Sequence, residues 1–123
     1  WVQTSEDGKY LDSLKTTKDI TRIYSMQNFK EVCKSGDVDY VGTRLHGGVF
    51  AMQNGVRSLV IAIDHRARGF HESNNLNILE RTEVENLPSI MENEMKTEII
   101  LNQKEINTFL SQFPYVSEKI KNV

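Results

Sequence analysis

One cysteine, Cys33, is all that 123 residues supply. A disulfide within the chain is therefore impossible, and a cysteine-rich zinc site is not expected. No metal is called for by any other pattern. No apolar run approaches the roughly 20 residues that a membrane helix needs. No signal peptide is visible at the start, so no integral membrane segment is expected. Charge of one sign is also missing: 15 basic and 17 acidic residues leave a net charge of -2. That removes the general electrostatic case for nucleic acid or an anionic membrane surface. A G-x-x-x-x-G-K-[ST] run is absent, which speaks against a phosphate-cradling NTPase. There is no internal repeat, low-complexity tract or flexible linker. A lone thiol fits a reducing compartment, and the expected location is the cytoplasm.

What is present is an ordinary globular mixture, 38% hydrophobic and 26% charged, of a size that fits one domain over residues 1–123. The chain opens at Trp1, with a short extended stretch over 1–4 that breaks into the polar residues 5–8. Such an abrupt start suggests a piece of a longer protein, a processed terminus being the alternative.

Residues 8–17 suit a short helix with Tyr10, Leu11 and Leu14 on one face. Residues 20–24 are β-branched and aromatic and read as a strand. Ser25 is placed to cap a helix whose Met26, Phe29, Val32 and Cys33 share a face, and 35–37 end it. A strand over 38–42 is followed by a helix over 43–54 that is apolar nearly all round, hence buried, with Gly55 closing it. The unbroken apolar run 58–63 predicts a strand covered on both faces. Strand, buried helix and buried strand with short connections make a βαβ unit, whose strands should run parallel. With the upstream strand and helix as a second unit, the fold class is α/β, a Rossmann-like parallel sheet with helices on both faces. Beyond Phe70 the pattern is weaker. Residues 76–79 suit a last short strand, and Pro88 suits the first turn of a helix reaching about Met95. Ile106, Phe109, Leu110 and Phe113 form an amphipathic stripe that Pro114 interrupts.

In open α/β sheets, ligands bind beyond the carboxyl ends of the strands. One such end carries Thr43, Arg44, His46, Gly47 and Gly48; the other carries Asp64, His65, Arg66 and Arg68. If the two strands are neighbours, the segments lie side by side, with Arg44, Arg66, Arg68 and two histidines around one crevice and Asp64 beside them. A helix opening there offers free backbone N–H groups to an anion. Gly47 and Gly48 leave the backbone approachable, and an arginine grips phosphate or carboxylate with a planar fork. The combination suits a small ligand bearing phosphate and carboxylate. Each residue also has a structural reading: an ion pair of Arg44 with Asp64 or Asp39, a hydrogen-bonded helix histidine for His46, helix–strand packing for Gly47 and Gly48, and a turn for Asp64. Arg66 and Arg68 can equally form a solvated face, as can His65 and His71, while Cys33 falls on an apolar face and reads as core.

The run VDYVGTRLHGGVFAMQNGVRSLVIAIDHRARGF at 38–70 resembles the C-terminal signature of the polysaccharide pyruvyl transferase family. The shared features are an acidic residue near the strand, then G-T-R-L-H-G at 42–47. A buried helix, G-V at 55–56, a hydrophobic strand and a basic residue after it complete the set. The resemblance covers about a quarter of the chain closely. It implies two Rossmann-like halves facing across a cleft, similar to the GT-B arrangement, with this chain as the C-terminal half. It implies transfer of a pyruvyl ketal from phosphoenolpyruvate, a co-substrate rather than a cofactor, to hydroxyls of a sugar acceptor, with release of phosphate. The motif's arginine and histidine fall on Arg44, which would hold the donor's phosphate or carboxylate, and His46, which would move a proton or bind the donor. Asp64 and Arg66 match the polar exit from the next strand. Ketal formation needs a proton on the donor's methylene carbon and removal of one from an attacking hydroxyl, and imidazole is suited to either step. One departure is Arg57, where the family often has proline after G-V. An isolated half is expected to bind weakly and not to turn over. The competing readings are the donor-binding half of a GT-B sugar-nucleotide glycosyltransferase, which lacks a clear ribose-gripping acid other than Asp64, and a non-catalytic α/β binding module.

Overall fold

A computed structural model describes residues 2–16 and 19–113. The element order is α1 (Ser5–Ser13), α2 (Met26–Lys34), β1 (Asp39–Gly42), α3 (Leu45–Gln53), β2 (Arg57–Ala62), α4 (His65–Asn74) and β3 (Ile78–Glu80). A 3-10 turn (Arg81–Asn86), α5 (Leu87–Glu92) and α6 (Gln103–Leu110) follow. Among the described residues three strands form one sheet in the order β1-β2-β3. Both pairs are parallel: Tyr40 lies opposite Ser58, Gly42 opposite Val60, and Val60 opposite Ile78. The chain is therefore α/β with a parallel sheet flanked by helices, of Rossmann-like type.

Strand alternation sorts the two faces. Tyr40, Ser58, Val60 and Ala62 point to one side, where Leu45 of α3 and Ala67 of α4 complete a buried cluster with Leu76. Two crossovers of the same hand, stepping the same way across the sheet, put both helices on that side. A second cluster joins Phe29 and Cys33 of α2 to Ala51 and Val56, with the Phe29 and Phe50 rings 5.7 Å apart. Burial pushes the Cys33 thiol up, and the residue is core. The opposite face carries buried Leu59 and Leu79, under the 3-10 turn, against which α5 packs. Arg57 ties that cover down. It pairs with Asp39 at 2.6 Å and donates to the Met91 and Asn93 carbonyls, each at 3.0 Å. At the end of α3, Gly55 takes φ +81°, the left-handed conformation that closes a helix without steric cost. No helix among the described residues is long and apolar enough to cross a membrane.

Several expectations need correction. Residues 20–24 are not a strand. They have the propensity but no ladder: Ile23 accepts one backbone bond from Val2 at 2.8 Å, and Ile20 and Tyr24 are exposed. Strand preference without a neighbouring strand to pair with does not make a strand. The first helix starts at Ser5 rather than Gly8, because Thr4 and Asp7 close a capping box there. No residue of α1 is buried: Tyr10 and Leu14 of the expected apolar face are exposed and Leu11 is half-buried. Helix α4 had no counterpart in the periodicity: Ala67 is its only buried residue. Strand β3 begins at Ile78, α5 stops at Glu92, and the stripe on α6 is largely exposed. The expectations for Trp1, Thr17 and Pro114 lie outside the described residues.

Candidate active site

Because β1 and β2 are parallel neighbours, the turns that leave them emerge on the same edge of the sheet. A cleft of ≈ 410 Å³ opens there, lined by Gln3, Thr43, Arg44, Leu45, His46, Ile63 and Arg66. Thr43, Arg44, His46 and Arg66 are thus brought together. The remaining members of the expected crevice are not on its wall. Arg68 turns away to Glu80 at the end of β3, with contacts of 2.7 and 2.8 Å, and His65 is exposed outside the cleft. His71 donates from Nδ1–H to the Leu76 carbonyl at 2.7 Å, a structural contact.

Gly47 and Gly48 belong to α3 and lie on its buried face, against the sheet, rather than open to the cleft. A Cβ on Gly47 would stand 2.7 Å from the Tyr40 hydroxyl, and one on Gly48 2.6 Å from Val60 Cγ2. Their smallness lets the helix settle onto the sheet, the structural alternative of the two read from sequence. Tyr40 is the residue that this packing grips. Its hydroxyl donates to the Arg44 carbonyl at 2.8 Å, which also accepts from Gly48 N–H at 3.1 Å. Burial raises the phenol's pKa, so it stays a donor. Tyr40 thereby fixes the turn carrying Arg44, a role that its place in a strand pattern did not reveal.

Arg44 is the N-cap residue of α3, with φ -88° and ψ 102°, and gives that helix no side-chain cap. The first amides of α3 therefore lack the side-chain acceptor that Thr4, Ser25 and Asp64 supply to α1, α2 and α4. The Arg44 guanidinium reaches α1 instead of Asp39 or Asp64. Nη2 donates to both oxygens of Asp7, at 2.7 and 2.9 Å, and Nη1 donates to Gln3 Oε1. Asp39 is held by Arg57. Asp64 is held by Arg66, whose Nη2 lies 2.6 Å away. Asp64 also caps α4 by accepting from Arg66 N–H at 2.9 Å. These bonds to Arg66 bring the Asp64 carboxyl down to about 2. Asp64 itself does not line the cleft; it anchors Arg66, which does. His46 is exposed on the cleft wall and makes no side-chain hydrogen bond to a described residue, so both ring nitrogens are open to a ligand.

Residues 3–65, just over half of the chain, match the model of a family described as polysaccharide pyruvyl transferase. The chain belongs to that family. No curated protein matches it, and no solved structure does. The pyruvyl transferase match extends well upstream of the motif at 42–47. It takes in α1, and with it Gln3 and Asp7, and stops one residue short of Arg66. Gln3, Asp7, Tyr40 and Ile63 are the site residues that sequence reading missed. Only Tyr40 carried a local signal, an aromatic two residues before the conformationally restricted turn.

Proposed function

We propose that the cleft holds phosphoenolpyruvate and that the chain supplies the donor side of pyruvyl transfer to sugar hydroxyls. The observation that carries this reading is the joining of Arg44, Arg66 and the uncapped first turn of α3 around one opening, with His46 free beside them. Positive charge and unfilled N–H groups suit a small polyanion. Ile63, half exposed on the wall, offers an apolar surface for the donor's methylene carbon. Arg44 and Arg66 hold phosphate and carboxylate. His46 gives a proton to the methylene carbon or accepts one from the attacking hydroxyl. Addition of that oxygen to C2 and loss of phosphate leave the pyruvyl carbon on the sugar, and a second hydroxyl closes the ketal. A second half facing the cleft, as in the GT-B arrangement, presents the acceptor, and the reaction proceeds in the cytoplasm on a polysaccharide precursor.

A sugar-nucleotide donor is the weaker reading. It asks for an acid to grip the ribose, and Asp64 and Asp7 are both engaged by arginine. The test is a titration of phosphoenolpyruvate into the ¹⁵N-labelled chain, with a uridine nucleotide in parallel. Saturable amide shifts at 43–48 and at Arg66 with phosphoenolpyruvate, absent with nucleotide, are expected. Shifts with the nucleotide alone would transfer the assignment to a glycosyltransferase.

A further inference from the structure

We infer that Asp7, with Gln3 beside it, is a positioning residue that orients the Arg44 guanidinium for the donor, so that α1 is a working part of the cleft. This rests on the reading of the cleft as the phosphoenolpyruvate site. Helix α1 has no fully buried side chain, Leu11 being half-buried, and besides an Asp12–Arg22 pair its side-chain tie to the sheet edge is polar. Buried Val2 and its bond to Ile23 bring the chain there, and the contacts that α1 then makes to the cleft run through Arg44.

The Asp7 carboxylate is fixed independently of Arg44. Its Oδ2 accepts from the backbone N–H groups of Gln3 and Thr4, both at 3.0 Å. Those bonds close the start of α1, and the carboxylate cannot swing aside without opening the helix. Arg44 docks on this fixed acceptor through Nη2, while Gln3 takes Nη1. A guanidinium has five N–H donors. Two acceptors on one edge leave Nε–H and a remaining Nη–H to meet an anion, on a side chain that no longer samples its many rotamers. The geometry is that of a support, not of a plug. A competitor would need to leave when the donor arrives, and Asp7 is tied to its own backbone. The two roles predict opposite signs for the loss of its charge.

The experiment compares phosphoenolpyruvate affinity of the wild-type chain and of Asp7→Asn, from amide shifts at 43–48, together with the Arg44 Nε–Hε signal and the thermal midpoint. The asparagine keeps an oxygen for the Gln3 and Thr4 amides and removes the charge. The expected result is a Kd raised about five- to twenty-fold, an Arg44 Nε–Hε signal broadened by motion, and a midpoint lowered only slightly, with α1 still formed. Affinity that is unchanged or tighter overturns the inference, as does weaker binding with the Arg44 signal unaltered. Should Asp7→Asn open α1, Gln3→Ala decides. It leaves the capping bonds in place and is expected to weaken binding about two- to threefold, and no change overturns the role of α1. If the wild-type chain binds no phosphoenolpyruvate, the donor reading fails. The Arg44 signal then judges the positioning by itself, and an equally sharp signal in both proteins overturns it.

Discussion

The two strand ends that face the cleft are built alike and completed differently. Each strand is followed within two residues by a helix, and each turn brings an arginine to the opening. After β2 the helix is closed locally. Asp64 caps α4 and holds Arg66 two positions away. After β1 nothing local closes the helix. Arg44 gives α3 no cap, and its partner Asp7 lies 37 residues upstream. A helix start that carries its own carboxylate has filled its anion place; one that lacks it leaves the place to a ligand. On the proposed reading the cleft is therefore asymmetric, the β1–α3 end taking the donor and the β2–α4 end lending a supported cation.

The largest test of that asymmetry is Arg44→Ala. Loss of charge-assisted bonds to the donor is expected to raise the Kd for phosphoenolpyruvate about thirtyfold, and amide shifts over α1 should move with it, because Arg44 is the contact of α1 to the cleft. A calorimetric titration beside the spectra reads both. Arg66→Ala should cost binding less, since Arg44 and its Asp7 support stay in place.

Glycine separates the two helices in sign. Gly48→Ala in α3 drives a Cβ to 2.6 Å from Val60, which is fully buried and stiff at χ1. Overpacking of this kind costs about 1–3 kcal/mol, more than the about 1 kcal/mol that alanine adds to a helix. Gly69→Ala in α4 meets nothing within 4 Å and should stabilise by about 0.5–1 kcal/mol. Denaturant midpoints of the two variants should move in opposite directions.

Asp64→Ala removes the cap of α4 and is expected to lower the thermal midpoint by roughly 2–6 °C, whereas Asp64→Asn retains an acceptor and loses much less. Acid makes the same point without mutation. The folded Asp64 carboxyl is held at about 2, below its ordinary 3.8, so its contribution is fully present above pH 4 and is lost as pH falls towards 2. Asp7 is also lowered, through the Thr4 and Gln3 amides and Arg44, and follows the same sign. Amide exchange at Arg66 should stay protected near pH 3 and fail below it.

The smallest effect separates the histidines. His46→Ala should weaken donor binding several-fold, while His65→Ala, outside the cleft, should change it less than about twofold. Equal losses in the same titration would mean that the cleft extends over α4.

Much of this was legible along the chain. The G-T-R-L-H-G run between two apolar strands located β1, α3 and β2, since period-two and period-3.6 patterns are local and a buried helix needs apolar residues all round. Arg44 and His46 followed from the strand end. Helix α4 was not legible, because a helix that buries one alanine leaves almost no periodicity. The strand expected at 20–24 failed for the converse reason: its residues favour extended chain, but a strand exists only when another strand takes its hydrogen bonds.

By itself the sequence determined the α/β class, the parallel pair, the family and the turn on which Arg44 and His46 stand, because each rests on residues close together in the chain. Tertiary structure alone decided that Gly47 and Gly48 serve packing against Tyr40 and Val60, that Arg68 leaves the cleft for Glu80, and that Asp7 holds Arg44. Those are choices among acceptors and surfaces far apart in sequence. A guanidinium takes whichever carboxylate the folded chain brings within 3 Å, and spacing along the chain does not say which one that is.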